Sequence, residues 1–376
     1  MVGKLDDKYL KRKAEIRQFV QDAILPYVKQ VEDECEIPKD IIKKLAIKNY
    51  LGVTVEKIYG GLEWDPIEVA LLHEEFGKSH ASVENLLTVY GMVIKAIATV
   101  GDLEQKNKWL PQIVRGEVIP AFAMTEPLIG SDIKNITTTA FEEQDKYVIT
   151  GEKQWITLGQ IADVFLVFAK CNKRSTAFLI ERETPGLTIE PMSGTMGLKG
   201  NMLAKLHFNK CCIPKKNLLG KVGRGLSRVA SYGLDEGRYT TACGSLGLCQ
   251  ACLDASYDYI NNRKQFDVYL KEHQLVQKMI TEMIVHIKAA RKLCYGAGYM
   301  RREKDPGYIQ ETLIAKYYAS KTANMVANHA IQIHGALGTS CDKDLERYYR
   351  DAKMMEIIEG SSQLYEIQIA KAPLDI

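Results

Sequence analysis

The sequence of 376 residues has little excess of either charge and no block of five or six like charges. Fifty Lys and Arg residues stand against 47 Asp and Glu residues, which gives a formal net charge of +3. Proteins that bind nucleic acids or membrane surfaces typically carry a basic patch or a run of basic residues. The sequence therefore predicts neither a nucleic-acid partner nor a membrane partner.

The sequence also lacks the features of a secreted or membrane-spanning chain. Residues 1–8 contain no apolar segment of the signal-peptide type, and no run of about 18 uninterrupted apolar residues follows. The nine cysteines are an odd number scattered from Cys35 to Cys341, which is not the pattern of a disulfide framework in a chain of this size. We therefore expect a cytoplasmic protein with reduced thiols.

Common cofactor and metal motifs are missing as well. The nearest approach to a dinucleotide-binding glycine motif, Gly296-Ala297-Gly298, continues with Tyr-Met-Arg inside helical sequence. The seven histidines are scattered, and no two stand at metal-ligand spacing. These absences argue against a Rossmann-type NAD enzyme and predict no metal site.

The spacing of apolar residues divides the chain into three parts. Residues 1–118 show helical periodicity, as in Ile16, Phe19, Val20 and Ala23. Residues 119–224 contain short β-rich runs between Gly, Pro and Asn turns, which favours a small barrel or sandwich. Residues 225–376 return to the helical period over long stretches, which indicates a helical bundle.

Two segments of the middle part offer groups that suit a flavin. Residues 123–132 contain Thr125 and Ser131, whose hydroxyls and neighbouring N–H groups are the donors that a phosphate or a flavin edge needs. Residues 151–157 place Trp155 two residues from Thr157, a pair able to cover a ring and bond one of its nitrogens. Taken alone, the first segment is more typical of a turn, and the second of a strand with Trp155 in the core.

Two segments of the C-terminal part suit a ligand and a base. Residues 332–338 read as a helix end that opens into a glycine turn, where the backbone can approach a ligand or simply form a C-cap. Residues 356–363 hold Glu359 between isoleucines and a glycine. Apolar neighbours raise the pKa of a carboxyl, which suits a base for a weakly acidic C–H group. The alternative is a solvated glutamate at a helix end.

In their order and spacing, these four segments resemble the acyl-CoA dehydrogenase family along essentially the whole chain. Further matches are Tyr59-Gly60-Gly61, residues 197–200, residues 217–220 and residues 346–351. The resemblance implies a multi-domain α+β fold with an N-terminal helical domain, a middle β-barrel and a C-terminal four-helix bundle. It also implies a homotetramer, a dimer of dimers, built around FAD.

The resemblance assigns two sets of residues to FAD. The flavin ring and the FAD phosphates are expected to contact Met124, Thr125, Ser131, Trp155, Ile156 and Thr157. A flavin-binding turn is expected to contribute Ser361 and Gln363. The ADP half, reaching in from the neighbouring subunit, is expected to contact Arg263, Phe266, Gln274, Gln332, His334 and Gly335.

The resemblance makes Glu359 the catalytic base, which takes the α-proton of an acyl thioester while the β-hydrogen leaves as hydride to flavin N5. Some family members carry the base directly before an arginine of the first bundle helix, where this chain has Gly237. The resemblance places four residues beside the substrate, namely Asp235, Arg238, Ile358 and Gly360.

The chain departs from the family pattern near the expected substrate site. Leu128-Ile129 replaces the usual Gly-Ala, and Ile358 replaces a common tyrosine, which favours a small or polar acyl group.

The chain resembles members from polyketide and nonribosomal-peptide biosynthesis, above all the colibactin branch that converts seryl- to aminomalonyl-carrier protein. An acyl-CoA dehydrogenase of short- or branched-chain catabolism is the alternative, and a non-catalytic FAD-binding relative is a second.

Both thioester carriers, CoA and a carrier protein, present the same pantetheine arm, so the sequence leaves both open. It also leaves open the electron acceptor, for which electron-transfer flavoprotein, another reductase and oxygen are the candidates.

Overall fold

The structure is a computed structural model that describes residues 5–372. Residues 1–4 and 373–376, the ends of the predicted first and third domains, lie outside the described residues. The predicted domain boundaries fall in connections between elements: the chain leaves a helix at Val114 before the strand that begins at Pro120, and leaves a strand at Leu219 before the helix that begins at Ser231.

The N-terminal part is helical. Its helices are α1 (Asp7–Ala23), α2 (Val28–Glu34), α3 (Lys39–Ile47), α4 (Pro66–Ser79), α5 (Ala81–Val100) and α6 (Leu103–Val114). Capping boxes start α4 and α6, because the side chains of Asp65 and Asp102 accept hydrogen bonds from the first-turn N–H groups of Glu68 and Gln105.

Helix α5 is largely buried among its neighbours. Among the described residues it is the one helix long and apolar enough to cross a membrane by length and composition. However, 72% of its most apolar window is buried inside the protein, as in core helices of soluble proteins. Its apolar character is therefore explained by packing against its neighbours α4 and, as described below, the first helix of the bundle.

The middle part is a mixed β-sheet. Its strands are β1 (Pro120–Ala123), β2 (Thr139–Glu143), β3 (Lys146–Ile156), β4 (Val164–Cys171), β5 (Arg174–Glu181), β6 (Leu187–Pro191), β7 (Ala204–Pro214) and β8 (Leu218–Leu219). They pair in the order β6-β7-β3-β2-β4-β5-β8, and β1 branches off β4. The described path of paired strands ends at β6 on one side and, on the other, at the two-residue strand β8, which pairs with β5.

The C-terminal part is a bundle of long helices. It comprises α7 (Ser231–Asn262), a hairpin of β9 (Lys264–Gln265) and β10 (Val268–Tyr269), α8 (Gln274–Glu303), α9 (Tyr308–His334), α10 (Leu345–Ile357) and α11 (Ser362–Lys371). Helix α7 packs on α8 and α9 and also on α4 and α5, so it joins the bundle to the N-terminal helices.

Two apolar cores hold the fold together. The larger runs from the N-terminal helices through α7 into the bundle, and the smaller fills the sheet around Phe165, Phe178 and Leu206. All nine cysteines are free thiols, as predicted. The fold class predicted from the sequence is therefore confirmed as helical, then β, then helical.

Candidate active site

A cavity of about 380 Å³ lies where the three parts of the chain meet. One wall is helix α5, and another is the sheet edge formed by the loop after β1 and the end of β3. The start of α7 and the turn between α10 and α11 complete it. Its lining consists of Asn85, Val89, Met92, Phe122, Met124, Thr125, Gly130, Ser131, Ile133, Trp155, Ile156, Thr157, Leu234, Arg238, Ile357, Ile358, Glu359, Gly360, Ser361 and Leu364.

Trp155 offers an aromatic face on the sheet wall. Its backbone φ is +61°, and the pairing of β3 with β7 shifts register between Lys153 and Ile156. An irregularity of this kind re-aims a side chain relative to a regular strand. Trp155 is 51% exposed, although it belongs to the sheet, so its ring remains available to cover a flat ligand.

A buried ion pair organises the loop after β1. The ammonium of Lys153 donates to Glu126 Oε1 and to the carbonyl of Met124, each at 2.9 Å. Glu126 also accepts from the N–H groups of Thr137 and Thr138. Burial alone would raise the pKa of Glu126, but Lys153 and these hydrogen bonds outweigh burial and lower it to about 2. The loop is thereby fixed to the strand that carries Trp155.

Glu359 faces the cavity from the turn between α10 and α11. Its Oε2 atom is buried and has no hydrogen-bond partner among the described residues, and the residue as a whole is half-buried. Burial raises the pKa of Glu359 to about 7, against the opposing effect of the nearby charges of Arg238 and Lys316. A carboxyl with these properties is poised to accept a proton near neutral pH.

The turn that carries Glu359 is fastened from two sides. The Lys316 ammonium, on α9, donates to the carbonyls of Glu356 at 3.1 Å and Gly360 at 2.8 Å. The Tyr365 hydroxyl, on α11, donates to the carbonyl of Glu359. Lys316 is buried, and burial lowers its pKa to about 7. These bonds hold the backbone of the base in place.

Gly237 on α7 leaves the space that the base occupies. A Cβ atom added at Gly237 would lie 2.4 Å from Glu359 Oε2 and 2.8 Å from Met92 Sδ. A side chain at position 237, on α7, would therefore enter the space that the Glu359 carboxyl occupies from the turn between α10 and α11.

The lining of the cavity includes most of the residues predicted to contact the flavin and the substrate. Of the predicted flavin and substrate contacts, it includes Met124, Thr125, Ser131, Trp155, Ile156, Thr157, Ser361, Arg238, Ile358 and Gly360, together with Glu359. Asp235 lies outside it, because its side chain pairs with Arg301 at 2.8 Å. Gln363 also lies outside it, exposed in the first turn of α11.

The second predicted set does not reach this cavity. Phe266 and Gln274 line a separate surface cavity of about 610 Å³, and Arg263 lies nearby at the end of α7. Gln332 and Gly335 are exposed at the end of α9, whereas the ring of His334 is buried and stacked on Tyr259 at 4.2 Å. Within one subunit, this second set therefore lies outside the cavity that Trp155 lines.

Sequence reasoning missed two groups of site residues. Asn85, Val89 and Met92 line the cavity from α5, and Lys316 and Tyr365 fasten the turn. The available signals were a polar Asn85 inside an apolar helix and a Lys316 inside the apolar face of α9.

Each of the three parts of the chain matches the model of a known protein domain. Residues 7–117 match the model of the acyl-CoA dehydrogenase N-terminal domain, residues 121–211 that of the middle domain and residues 223–374 that of the C-terminal domain. The chain belongs to the acyl-CoA dehydrogenase family. It is therefore an FAD-dependent oxidoreductase of the acyl-CoA dehydrogenase type.

The family members most useful for comparison cover nearly the whole chain. Acryloyl-CoA reductase (NADH) of Anaerotignum propionicum is 34% identical over 94% of this chain and 91% of its own. The human mitochondrial short-chain specific acyl-CoA dehydrogenase is 34% identical over 94% of this chain and 87% of its own.

Solved structures of acyl-CoA dehydrogenases and their relatives share the fold. Butyryl-CoA dehydrogenase from Megasphaera elsdenii has a TM-score of 0.94 at 31% identity, covering 98% of this chain and 99% of its own. A chain in the structure of the electron transferring flavoprotein of Acidaminococcus fermentans reaches 0.96 at 32% identity, with 100% of both chains covered. The prolyl acyl carrier protein oxidase AnaB reaches 0.94 at 28% identity, covering 98% and 99%.

The cavity residues fit FAD. Hydroxyls of Thr125, Ser131 and Thr157 supply donors for the polar edge of a flavin, and the exposed face of Trp155 supplies the apolar cover that a tricyclic ring needs. The loop that carries Thr125 is held by the Lys153–Glu126 pair, so these groups keep their arrangement.

Proposed function

We propose that this enzyme dehydrogenates a short-chain acyl thioester between C2 and C3, with Glu359 as the base that takes the proton from C2. When bound, FAD supplies the two-electron acceptor for the hydrogen that leaves C3 with its electron pair. The observation that carries the proposal is the buried, unpaired Oε2 atom of Glu359, which faces the cavity with a pKa raised to about 7.

The surroundings of Glu359 suit proton removal from carbon. A base is most effective when its pKa lies near the working pH, because it is then ionised and still accepts a proton readily. Burial raises the pKa, and the positive charges of Arg238 and Lys316 limit the rise, so a useful fraction of the carboxyl is ionised at neutral pH. Low water access around Oε2 keeps the proton on the reacting groups.

Similarity supports an acyl-CoA as the thioester. The human relative is a short-chain specific enzyme and the Megasphaera elsdenii structure is a butyryl-CoA dehydrogenase. The cavity is small, at about 380 Å³, and must hold both a flavin ring and the reacting end of the thioester. We propose electron-transfer flavoprotein as the acceptor, on the likeness to the Acidaminococcus fermentans structure.

A second candidate is a carrier-protein-bound aminoacyl group, as in the conversion of seryl- to aminomalonyl-carrier protein in polyketide and nonribosomal-peptide biosynthesis of the colibactin type. Leu128, which replaces a usual glycine of the family, is 92% exposed beside the cavity residues Gly130 and Ser131. The likeness to AnaB, a prolyl acyl carrier protein oxidase, supports a carrier protein.

We further propose that the enzyme is a homo-oligomer, a dimer of dimers, in which the second predicted set of residues holds the ADP half of FAD from a neighbouring subunit. Support comes from Phe266, which is 90% exposed next to Gln274 on a surface cavity. A large apolar side chain so exposed is typical of a contact with another molecule.

The test is anaerobic mixing of the purified holoenzyme with butyryl-CoA and with seryl-carrier protein, following loss of the flavin colour. Bleaching by butyryl-CoA alone supports the acyl-CoA reaction, and bleaching by the carrier-bound group alone selects the second candidate. Retained colour with every thioester points to a non-catalytic FAD-binding relative and overturns the proposal.

The role of Glu359 is tested by moving the base. Glu359→Gln should keep FAD and slow flavin reduction by about 10²- to 10⁴-fold. Because position 237 reaches the same point, the double variant Glu359→Gly with Gly237→Glu should regain part of the lost rate. Wild-type rates in Glu359→Gln would show that the base lies elsewhere.

A further inference from the structure

Two separate stretches of the chain contribute exposed cations to one part of the surface. Residues 172–180 and 217–234 together contain Lys and Arg residues but no Asp or Glu. These cations, which we call the basic patch, are all exposed, namely Lys173, Arg174, Lys221, Arg224 and Arg228. The patch is not evident in the sequence, because the two stretches lie far apart along the chain.

The fold brings the two stretches together at the start of β5. Asn172 and Lys173 have φ of +50° and +62° and form the tight turn between β4 and β5. Strand β8 pairs with β5, so the chain that follows β8 runs beside the first residues of β5. A Cβ atom added at Gly223 would lie 3.1 Å from the Arg174 side chain, and one at Gly225 would lie 2.8 Å from Ser175 Oγ. The cations of both stretches are therefore neighbours.

The charge of the basic patch is not neutralised by the β2–β3 hairpin beside it. Within residues 5–372, no ion pair joins a member of the patch to a carboxylate. Glu142 of the hairpin pairs with Lys215 at 2.6 Å, and Glu143 pairs with Lys146 at 3.7 Å. Asp145 also lies beside Lys215, whose N–H group donates to its carbonyl at 3.1 Å. The carboxylates of this hairpin thus have cations of their own.

The carboxylates at the start of α7 are engaged as well. Asp235 and Glu236 both pair with Arg301, at 2.8 and 3.0 Å. Arg238, the next cation along α7, lines the cavity and its charge acts on Glu359. The surface from the patch to the mouth of the cavity therefore keeps a positive charge, which attracts an anion.

The distance from the basic patch to the base matches the length of a pantetheine arm. Gly237 lies against the Glu359 carboxyl, and Arg228 precedes Gly237 by about 13 Å along the helical segment Gly225–Ala230 and the start of α7. A pantetheine arm has about 13 bonds between sulfur and phosphorus and spans about 15 Å, at roughly 3.3–3.6 Å for every three bonds of an extended chain. A thioester that reacts at Glu359 can therefore reach the patch with its phosphate end.

We propose that the basic patch binds the phosphate groups at the nucleotide end of a CoA thioester. This inference rests on the proposed function, because Glu359 fixes where the reacting carbons lie. Arg174, Arg224 and Arg228 carry planar guanidinium groups, which bind phosphate through two parallel hydrogen bonds. CoA offers a diphosphate and a 3′-phosphate to these groups, whereas the arm of a carrier protein offers a single phosphodiester. A patch with several cations therefore favours CoA.

The test compares butyryl-CoA, butyryl-3′-dephospho-CoA and butyryl-pantetheine as substrates of the FAD-loaded enzyme. Butyryl-CoA should have a KM about tenfold lower than butyryl-pantetheine, with the dephospho compound between them, because each exposed ion pair contributes modestly. The double variant Arg174→Glu with Arg224→Glu should bring the three KM values together. In the intact enzyme, added NaCl should raise the KM of butyryl-CoA, since salt screens exposed charges.

Two further double variants separate the patch from net charge and from local folding. Lys221→Glu with Arg228→Glu reverses the charge of other patch members and should also remove the preference for butyryl-CoA. Lys11→Glu with Lys39→Glu changes the net charge equally at exposed cations of α1 and α3, and should preserve the preference.

Several outcomes would overturn the inference. Equal KM values for the three thioesters in the intact enzyme, or a preference for butyryl-CoA that survives in both patch variants, would exclude a phosphate site. A greater loss with butyryl-carrier protein than with butyryl-CoA would assign the patch to a protein partner instead. If no thioester bleaches the flavin, the proposed function fails, and calorimetric titration with adenosine 3′,5′-bisphosphate still tests the patch. The intact enzyme should then bind this nucleotide more tightly than either patch variant.

Discussion

At the scale of single residues, the backbone of Glu359 is unusual. Its φ is +57° and that of Gly360 is +111°, so two consecutive residues lie in conformations that L side chains rarely adopt. Such conformations cost about 1–3 kcal/mol for a residue other than glycine and persist where the surroundings fix them. Here Lys316 and Tyr365 bind the backbone of this turn, and the result is a carboxylate aimed into the cavity rather than toward solvent.

The pKa of Glu359 predicts how activity depends on pH. With its pKa raised to about 7, the base is protonated and inactive below that pH and ionised above it. The rate of flavin reduction in a single turnover should therefore rise through about pH 7 and level off at higher pH. A rate independent of pH across this range would contradict the assignment.

The ionisation of Glu359 should also change the free energy of unfolding, which should fall with rising pH while the activity rises. A carboxyl whose pKa is higher in the folded than in the unfolded state favours folding while it stays protonated. Its contribution is lost as the pH rises from about 4.5 to about 7. In Glu359→Gln, chemical denaturation should no longer show this loss.

At the scale of elements, α9 controls the turn between α10 and α11 through one side chain. Lys316 is fully buried and donates to the carbonyl of Glu356, in the last turn of α10, and to that of Gly360 in the connecting turn, which lie 40 and 44 positions further along the chain. The cation of Lys316 also lies 5.2 Å from the centre of the Tyr365 ring. Lys316 is therefore a positioning residue, since it acts on the base through the backbone.

Replacing Lys316 by methionine tests this role. Lys316→Met leaves two buried carbonyls without their donor, which costs about 1–3 kcal/mol for each unsatisfied group. We expect a slower flavin reduction at saturating thioester, and a Glu359 pKa shifted upward because a nearby positive charge is gone. Thermal unfolding and the pH profile of the rate measure both effects.

Lys321→Met provides the matched control for this variant. Lys321 belongs to the same helix but is exposed and pairs only at the surface, with Glu366 and the Tyr317 hydroxyl. Its loss should change neither the rate nor the pH profile. An unchanged pH profile in Lys316→Met would mean that Lys316 serves stability alone.

At the scale of the whole molecule, the order of helical, β and helical parts could be predicted from the sequence. Apolar periodicity changes from the helical to the strand type near β1 and returns before α7, and this local signal suffices for the fold class. Motif spacing singled out the cavity residues Trp155 and Glu359, since both lie in short segments with recognisable residue types.

The rest of the site could not be predicted, because it depends on contacts between distant parts of the chain. Val89 and Met92 look like ordinary positions of an apolar helix until α5 is placed against α7 and the sheet. Asp235 is predicted to lie at the substrate, and the sequence alone does not reveal that its side chain pairs with Arg301, a long-range partner on α8.

The proposed assembly gives a prediction for the whole molecule. Phe266→Glu places a charge on the exposed apolar surface near Gln274, where we propose a subunit contact. The variant should form smaller oligomers and lose FAD on gel filtration, measured by light scattering and by flavin absorbance. Ile47→Glu, at an exposed apolar residue of α3, is the control and should keep both properties. Unchanged mass and colour in Phe266→Glu would contradict the assembly.

The Lys153–Glu126 pair has a consequence for how the protein acquires its prosthetic group. Because the Lys153 ammonium joins the carbonyl of Met124 to the strand that carries Trp155, the loop after β1 and the Trp155 ring keep their relative positions before anything binds. Little conformational entropy is then lost on association, since the chain has already been ordered during folding. Newly folded polypeptide should thus capture its flavin nucleotide without first rearranging the sheet.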